Sequence, residues 1–444
     1  MNTEEFISPY TPNTELDRSS MLESIGVSSI EQLFNDIPSK FRNPTLNLPS
    51  PQSELELKRY VEKLVSTNKV PGLYSCFLGA GAYRHHIPAI VRQITSRSEY
   101  MTAYTPYQPE VSQGTLQTEY EFQTLCCQLT KMEVANAGMY DGSTSLAEAA
   151  LMATRITKRN RIAILDTLSP TYVEVLKTYT QAHGIILDFI SEDDTQLLDE
   201  TACILIQQPN FFGYIEDAKK YSDLAHSHGA LLVAYVEPMS LGMITPPGDY
   251  DADIVASESQ ALGVPVTFGG PYAGIFACKE RYIRQMPGRI VGKTIDSENR
   301  TAYVLTLQTR EQHIRRERAT SNICTSVALI ALMSTVYMAA NGKRGMKHIA
   351  ELCYHKSHYA ASLIEKIPGY SLPIKGTFFQ EFVIQCPKNP SEINQQLLEY
   401  NIIGGLDISH KIPDGMLICV TEINSRDEIE SLANALSEIT GKND

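Results

Sequence analysis

Short apolar runs alternate with helical stretches through the middle of the chain. Two of the intervening stretches, TYVEVLKTYTQAHG and EDAKKYSDLAHSHG, end in glycine, which is typical of a helix C-terminus. Strand and helix alternating at this spacing predict a mostly parallel sheet with helices on both faces. The predicted strands are RIAILDT (161–167), GIILDFI (184–190), TACILIQQP (201–209), ALLVAYVEP (230–238), DIVAS (253–257) and YAGIFAC (272–278).

The two ends of the chain have different patterns. Residues 1–65 are polar and dotted with proline; PNTELDRSSMLESIG predicts a capped helix and FNDIPSKFRNPTLNLPSP an extended arm. Beyond the apolar run TSVALIALMSTVYMAA, GTFFQEFVIQCP and GMLICVTE predict strands, while NPSEINQQLLEYN and SRDEIESLANALSEIT predict helices. We therefore expect an N-terminal arm (1–65), a large α/β domain (66–325), and a linking helix with a small C-terminal α+β domain (326–444).

Composition narrows the class of protein. The chain has 444 residues, 43% of them hydrophobic, which is typical of a folded globular protein with more than one domain. A formal charge of -13 argues against general binding to nucleic acid or to an anionic membrane. The apolar run at 325–340 is too short to span a bilayer and predicts a buried helix. Nine cysteines without a CxxC pair, and an acidic start MNTEEFISPY without a secretory leader, indicate a cytoplasmic protein.

Motifs for nucleotides and metals are weak. GAGAYRHHIP (79–88) lacks the third glycine of a GxGxxG turn, and a Walker loop is missing. His85 and His86 are adjacent and would point in different directions, so local packing or hydrogen bonding is favoured and no metal site is expected. The stretch DGSTSLAEAA (141–150) can either bind an anion at a helix N-terminus or simply cap that helix, and capping is favoured.

Several long stretches carry a resemblance to a known family. They cover about residues 11–325 and resemble the alpha subunit (subunit 1) of two-subunit bacterial glycine dehydrogenase (decarboxylating), the P-protein of the glycine cleavage system. Arg318 departs from the family pattern, in which lysine is expected. This difference keeps the positive charge but replaces a compact ammonium group by a planar guanidinium group. The stretches are PNTELDRSSMLESIGVSSIEQLFNDIP, FLGAGAYRHHIP, YTPYQPEVSQGTLQTEYEFQT, YDGSTSLAEAALMA, FGGPYAG and LQTREQHIRRERATSNICT.

The resemblance implies the PLP-dependent transferase fold type I, which is aspartate aminotransferase-like. It also implies an alpha2beta2 enzyme that binds glycine through pyridoxal 5'-phosphate, releases carbon dioxide and passes the aminomethyl group to the lipoyl arm of H-protein. The expected partners are therefore the glycine dehydrogenase beta subunit and lipoylated H-protein, with glycine as the substrate of the complex. Neither nucleic acid nor a membrane is an expected partner.

Two positions indicate that this chain does not hold the cofactor itself. Aligned on beta-subunit relatives, Gln260 occupies the position of the lysine that bonds the cofactor, and Tyr235 occupies that of the aspartate beside the pyridine nitrogen. An amide cannot replace the amine, and a neutral phenol cannot balance a pyridinium. Lys279 follows the next strand and Lys293 is expected in a polar loop, so both are predicted to be solvated. We expect no catalytic residue in this chain and the cofactor on the partner subunit.

Other residues are candidates for donation to the partner's cofactor site, because active sites of this fold lie at the subunit interface. An interface loop shaped by glycine and proline is the alternative for each of them. Thr320, Ser321 and Asn322 are weaker candidates for the shared cleft, and the arginines of REQHIRRER (310–318) are expected on a solvated helix face. The candidates for donation are Tyr104, Tyr107, Gln108, Thr267, Gly269 and Gly270.

The preferred interpretation is thus a non-catalytic alpha subunit of glycine decarboxylase. A free-standing fold type I enzyme, such as an aminotransferase or a cysteine desulfurase, would need a suitably placed lysine. A regulatory or binding protein that has kept only the fold is the third possibility. A beta-type chain encoded beside this one would distinguish the first interpretation from the third.

Overall fold

The chain divides into two compact units, the first ending at Asn68 and the second beginning at Lys69. The predicted boundary between residues 325 and 326 lies outside the described residues, as do residues 1–9, on which the expectation of no secretory leader rests. The division into three regions therefore stays a prediction. The computed structural model describes residues 10, 12–42, 44–194, 196–323 and 327–441.

The first unit contains two helices, α1 (Glu15–Ile25) and α2 (Glu54–Val65). α1 is the predicted capped helix: Thr14 Oγ1 accepts a hydrogen bond from the Asp17 N–H, the Asp17 carboxylate accepts one from the Thr14 N–H, and Gly26 ends the helix with a φ of +85°. α2 is absent from the predicted elements, although the S-x-x-E signature of a reciprocal cap precedes it. No described residue of this unit is buried, so the unit has no hydrophobic core of its own.

A seven-stranded sheet forms the centre of the second unit. All six predicted strands are confirmed and belong to it. Four neighbouring pairs are parallel, and the two pairs that involve β8 are antiparallel, so the sheet is mostly parallel as expected. In spatial order its strands are β2 (Val134–Ala135), β8 (Gly274–Cys278), β7 (Ile254–Glu258), β6 (Leu231–Val236), β5 (Thr201–Gln208), β3 (Arg161–Leu165) and β4 (Ile186–Ile190).

Alternate residues of the central strands face different hydrophobic clusters. On β5, Ile204 and Ile206 belong to one cluster, whereas Cys203 and Leu205 belong to another. Because successive side chains of a strand point to opposite faces, the sheet is buried on both sides. This arrangement explains why its strands are continuous apolar runs in the sequence.

Helices cover this sheet. The predicted helices at 171–184 and 216–229 are confirmed, and the apolar run continues through a long helix that breaks at Gly342, where φ is +59°. Among the described helices, none has an apolar stretch long enough to cross a membrane. The helices are α3 (Ala89–Thr95), α4 (Ser98–Met101), α5 (Gln113–Thr130), α6 (Gly142–Thr157), α7 (Pro170–Thr180), α8 (Ala218–Ser227), α9 (Gln312–Arg315) and α10 (Ala328–Ile364).

The C-terminal module has an antiparallel sheet of three strands in the order β11, β14, β13. The predicted strands and helices are confirmed here, with shorter bounds for the strands. An early segment, β1 (Ser75–Cys76), pairs in parallel with β12 (Ile402–Ile403), so the chain that follows β1 runs beside the module. The elements are β11 (Glu381–Gln385), α11 (Pro390–Leu397), β13 (Leu406–Asp407), β14 (Gly415–Cys419) and α12 (Arg426–Gly441).

One hairpin is absent from the predicted elements. β9 (Ile290–Ile295) and β10 (Thr301–Thr306) pair in antiparallel register. The turn between them is organised by Asp296, whose carboxylate accepts hydrogen bonds from two backbone N–H groups of the turn. Residue 293 therefore lies on a strand and not in a polar loop, which corrects the prediction for Lys293.

Candidate functional site

A small cavity lies where the C-terminal ends of β6 and β7 meet the turn after β7. Its volume is about 10 Å³, which is space for one water molecule. Ligands of open α/β sheets bind outside the carboxyl ends of the strands, so this is the place where the fold would hold a cofactor. Among its lining residues are Tyr83, Tyr235, Glu258, Gln260 and Glu381.

Gln260 is buried and fully hydrogen-bonded to the backbone. Its Oε1 accepts a hydrogen bond from the Tyr83 N–H at 2.7 Å, and its Nε2 donates to the carbonyls of Tyr83 at 2.8 Å and of Val264 at 2.9 Å. The residue is 2% exposed. The Gln260 side chain, at the position where a lysine would bond the cofactor, therefore binds the backbone of Tyr83 and holds it at the cavity.

Glu381 on β11 holds the same segment from the other side. Its Oε1 accepts a hydrogen bond from the Ala80 N–H at 2.6 Å, and its Oε2 accepts one from the Tyr83 hydroxyl at 2.7 Å. A Cβ on Gly79 would lie 2.3 Å from Glu381 Oε1, so only glycine permits this close approach. Burial raises the pKa of the Glu381 carboxyl to about 7. Residues 79–83 are thus clamped between Gln260 and the C-terminal module.

Tyr235 lies on β6, which places its ring over the cavity. Its hydroxyl and that of Tyr172 are 2.7 Å apart and share a hydrogen bond, and the two ring centroids are 4.6 Å apart. Burial raises the pKa of the Tyr235 phenol well above its ordinary value. The side chain at the expected aspartate position is therefore neutral and is paired with another phenol.

The N-terminus of α6 is occupied by groups of the chain itself. Asp141 caps the helix, because its carboxylate accepts a hydrogen bond from the Thr144 N–H at 2.8 Å. The Gly142 N–H donates to Glu258 Oε2 at 2.8 Å. Capping is confirmed, and the N–H groups at the start of the helix are met by two carboxyl groups of the chain itself. Burial raises the pKa of Glu258 to about 8.

These residues do not fit pyridoxal phosphate. Gln260 has no amine for the aldehyde, Tyr235 has no carboxylate for the ring nitrogen, and Glu258 already meets the helix terminus at which a phosphate would bind. The carboxyl groups of Glu237, Glu258 and Glu381 line the cavity, no cation among its described lining residues could bind a phosphate, and its volume of about 10 Å³ is space for one water molecule. The cavity of this chain is therefore filled by its own residues.

The two lysines considered as substitutes lie elsewhere. Lys279 is not solvated as predicted: its side chain is only 18% exposed, and its Nζ lies 2.7 Å from Asp251 Oδ1 and 2.8 Å from Asp253 Oδ1. The predicted solvation was wrong because two aspartates near the start of β7 draw the ammonium inward. Lys293 is exposed. Neither residue lines the cavity of the described chain.

The first group of candidate donors lies in the loop between α4 and α5. Tyr104 is 76% exposed, Tyr107 is 48% exposed, and Gln108 is exposed as well. The hydroxyl of Tyr107 accepts a hydrogen bond from Arg289 Nη2 at 3.0 Å. None of the three lines the small cavity, and all three are exposed.

The second group lies in an exposed turn, 265–270. Thr267 Oγ1 donates towards the carbonyls of Pro265 at 3.2 Å and Gly270 at 3.3 Å. Gly269 and Gly270 have φ values of +97° and +139°, which explains the need for glycine here. Phe268, which the sequence-based candidates omit, is fully exposed with a φ of +43°. A large aromatic side chain between two candidate donors is a signal that was readable in the sequence.

The remaining candidates have mixed positions. Ser321 Oγ donates to Glu148 Oε1 at 2.6 Å, and Thr320, Ser321 and Asn322 line a second cavity of about 560 Å³. Arg318 is exposed, as expected for a solvated face. Arg310 is not: it is 8% exposed and donates to the carbonyl of Gly288 at 2.9 Å, because the chain folds back onto the start of β9. That part of the prediction for 310–318 was wrong.

His85 and His86 take part in local hydrogen bonds. His85 Nδ1 lies 2.7 Å from Glu422 Oε2, and the His86 N–H donates to Glu422 Oε1 at 2.7 Å. Cys353 Sγ lies 3.5 Å from Glu422 Oε2. These atoms of His85, Cys353 and Glu422 are within 4.8 Å of one another, and hydrogen bonding accounts for their proximity. The expectation of no metal stays a prediction.

Comparison with known proteins shows strong similarity over nearly the whole chain. Residues 8–436 match the family described as "Glycine cleavage system P-protein". The chain is 50% identical to "Probable glycine dehydrogenase (decarboxylating) subunit 1" of Desulforamulus reducens, over 97% of the chain and 100% of that relative.

Solved structures agree with this similarity. The inhibitor-bound crystal structure of glycine decarboxylase (P-protein) of the glycine cleavage system is similar with a TM-score of 0.92 and 38% identity, over 97% of the chain and 100% of that structure. Alanine–glyoxylate aminotransferase of Nostoc sp. shares the fold alone, with a TM-score of 0.56 and 16% identity over 91% of the chain and 99% of that structure. The predicted fold, type I of the PLP-dependent transferases, is confirmed.

Proposed function

The chain belongs to the family of glycine cleavage system P-proteins, and from that premise we propose that it is the non-catalytic alpha subunit of a two-subunit glycine decarboxylase. In this proposal the pyridoxal phosphate is held by the beta subunit, and none is bonded to this chain. The relatives named subunit 1 support a partner subunit. An alpha2beta2 assembly located in the cytoplasm is the form we propose.

The hydrogen bonding of Gln260 gives the most direct support for placing the cofactor on the beta subunit and not on this chain. Its amide is used completely by the backbone of Tyr83 and Val264, and the surrounding cavity has a volume of about 10 Å³. A site that is filled by its own chain cannot also take up glycine. The substrate chemistry must therefore occur in a site that the partner completes.

In the assembled enzyme, the bound cofactor would supply an electron sink for the electron pair that stays on the α-carbon when glycine releases carbon dioxide. The aminomethyl group is then passed to the lipoyl arm of H-protein. This chain is proposed to contribute surface residues and no reacting group. Its net charge of -13 gives no support for a nucleic acid or membrane partner.

We propose that two exposed loops contribute to the partner's cofactor site. Their hydroxyl, amide and backbone N–H groups are suitable donors to a phosphate. Exposure of Tyr107 and Thr267, together with the hydrogen bonds that fix both loops, supports such a role. The proposed donors are Tyr104, Tyr107, Gln108, Thr267, Gly269 and Gly270.

The proposal is tested with the purified full chain, alone and with the beta subunit. We expect the chain alone to show no absorption of bound pyridoxal phosphate and no exchange of label between bicarbonate and glycine in the presence of lipoylated H-protein. Adding the beta subunit should produce exchange, and the beta subunit alone serves as the control. A yellow chain whose colour changes on addition of glycine would contradict the proposal and favour a free-standing enzyme. A chain that forms no complex with a beta subunit would favour a regulatory protein.

A further inference from the structure

Arg289 is a buried cation directly before β9. It is 1% exposed, and its carbonyl accepts a hydrogen bond from the Ala137 N–H at 2.8 Å. Its charge is met by Glu311, whose Oε2 lies 3.4 Å from Arg289 Nε and whose side chain is 5% exposed. The pair is thus removed from water almost completely.

The rest of the guanidinium is directed at one surface loop. Nη1 donates to Thr105 Oγ1 at 3.2 Å and Nη2 donates to the Tyr107 hydroxyl at 3.0 Å. The guanidinium carbon also lies 5.0 Å from the centre of the Tyr107 ring. The ring of His313 packs edge-on against Tyr107, with centroids 6.0 Å apart. A half-exposed tyrosine is therefore held by a side chain that is itself buried.

Stability alone does not explain this arrangement. A buried ion pair is weak evidence for stabilisation, because removing two charges from water offsets much of their attraction. What the fork of Arg289 does achieve is orientation, since two hydroxyls of one loop are bonded to one rigid plane. The far end of the loop is fixed as well, because Gln113 Nε2 donates to the carbonyls of Pro109 at 2.7 Å and Tyr303 at 2.9 Å.

We propose that Arg289 is a positioning residue that presents the Tyr107 hydroxyl as a hydrogen-bond donor to the phosphate of the partner's cofactor, an inference that rests on the proposed function. The Tyr107 oxygen accepts from Arg289, so its own proton stays available for an acceptor outside the chain. A hydroxyl that accepts from a cation also becomes a better donor. The loop thereby delivers a polarised donor in a fixed direction.

The test uses the complex of this chain with the beta subunit. Four complexes are compared by titrating pyridoxal phosphate into the cofactor-free form: wild type, Tyr107→Phe, Arg289→Lys and the double variant. Lysine keeps the charge but cannot bond both hydroxyls in one plane. We expect each single change to weaken cofactor affinity about tenfold, and the double variant to bind no more weakly than Tyr107→Phe, because both changes remove the same donor.

A matched control separates positioning from general loss of stability. Arg310→Lys changes another buried arginine of the same region, whose hydrogen bonds end on backbone carbonyls. We expect it to lower the midpoint of thermal unfolding while leaving cofactor affinity unchanged. If Arg289→Lys prevents assembly, the full chain alone is labelled with 3-fluorotyrosine. The fluorine resonance of Tyr107 is identified by its absence in Tyr107→Phe. We expect this resonance to shift or broaden in Thr105→Val, a change that leaves the buried charge of Arg289 intact.

The outcomes distinguish the positioning role of Arg289 from the hydrogen-bond donation by Tyr107. Weakened binding in Tyr107→Phe with wild-type affinity in Arg289→Lys would overturn the role of Arg289 and leave the donation by Tyr107 standing. Multiplicative losses in the double variant, or an unchanged fluorine resonance in Thr105→Val, would also overturn it. Wild-type affinity in Tyr107→Phe would remove the proposed donation itself, and the inference with it.

Discussion

The small cavity and the exposed loops both contain residues for which the sequence predicted a relation to one cofactor, and they are built in opposite ways. In the cavity, polar side chains face one another: Gln260 binds the backbone of Tyr83, and Tyr235 pairs with Tyr172. In the loops, the side chains of Tyr107 and Thr267 are fixed by their own chain and remain exposed. The polar side chains of the cavity are thus buried and bind groups of the same chain, whereas those of the loops are exposed.

The difference shows how a chain of this fold can fill a polar cavity with its own groups. Replacing a lysine and an aspartate by neutral side chains would leave an empty polar cavity, which is unfavourable in a protein interior. Here residues 79–83 and the Glu258 carboxylate fill that space and satisfy the polar groups.

The largest effect is expected from Gln260→Lys. Lysine cannot accept the Tyr83 N–H hydrogen bond, and it introduces a buried charge. Since each buried polar group left unpaired costs about 1 to 3 kcal/mol, we expect the free energy of unfolding to fall by about 3 kcal/mol or more. Added pyridoxal phosphate should produce no absorption of bound cofactor, because Glu258 still occupies the helix terminus.

Denaturant unfolding and absorption spectra of Gln260→Lys measure both effects. Gln395→Lys, at an exposed position of α11, is the control and should leave the free energy of unfolding nearly unchanged. A variant that binds the cofactor would show that the cavity is not closed by its own residues.

The exposed loops are tested by Thr267→Val, which keeps the shape of the side chain. Loss of one hydrogen bond to a charged group costs about 1.5 to 3 kcal/mol, so cofactor affinity of the complex should fall by about ten- to a hundredfold. Assembly with the beta subunit should be retained in sedimentation experiments. Thr301→Val, at the exposed first residue of β10, is the matched control. Equal cofactor affinity in both variants would assign Thr267 to packing alone.

The pH dependence of stability sharpens the contrast at the cavity. Burial raises the pKa of Glu258 from 4.5 to about 8, so the folded chain keeps a proton that the unfolded chain has released. The stabilisation by this proton is complete below the pKa of Glu258 in the unfolded chain. It is lost as the pH rises towards the pKa of Glu258 in the folded chain. Between about pH 5 and 7, this group should lower the free energy of unfolding by at most about 1.4 kcal/mol per pH unit.

Glu258→Gln should flatten this decline, because glutamine does not titrate but can still accept from the Gly142 N–H. Urea unfolding at several pH values in that range provides the measurement, with Glu399→Gln at an exposed position as the control. Part of the slope should persist, since burial also raises the pKa of Glu381 to about 7. A decline as steep as that of the wild type would show that Glu258 is not the titrating group.

The smallest effect is expected from Tyr235→Phe. The change leaves the Tyr172 hydroxyl without its partner in the cavity, which should lower the free energy of unfolding by about 1 kcal/mol. Tyr60→Phe, on the exposed face of α2, should have no measurable effect. Thermal unfolding of both variants is sufficient, and equal midpoints would indicate that the phenol pair contributes nothing.

Much of the fold could be predicted from the sequence, because a sheet buried on both faces has strands that are continuous apolar runs. The helix caps at Thr14 and Asp141 follow from local side-chain chemistry in the same way. The assignment of Gln260 and Tyr235 to the lysine and aspartate positions rests on the family resemblance alone and stays a prediction. What fills the cavity could not be predicted, since Tyr83 is 177 residues away from Gln260 along the chain.

Other errors have the same origin in contacts between distant segments. Lys279 was expected in solvent because it follows the end of a strand, yet Asp251 and Asp253 lie beside its ammonium group. Arg310 was expected on a solvated face, but its guanidinium bonds backbone carbonyls near β9. The identity of a charged residue indicates that it needs a partner, and only the folded chain shows which one.

The contact between the Gly142 N–H and Glu258 has a consequence for the supply of vitamin B6 in the cell. Because Glu258 and Asp141 already accept the N–H groups of this helix terminus, the chain can complete its folding without the vitamin. The amount of this subunit should therefore stay constant when vitamin B6 is scarce, while decarboxylation of glycine declines. Nutritional shortage would then lower the activity of the enzyme and leave a reserve of folded alpha subunits ready for reassembly.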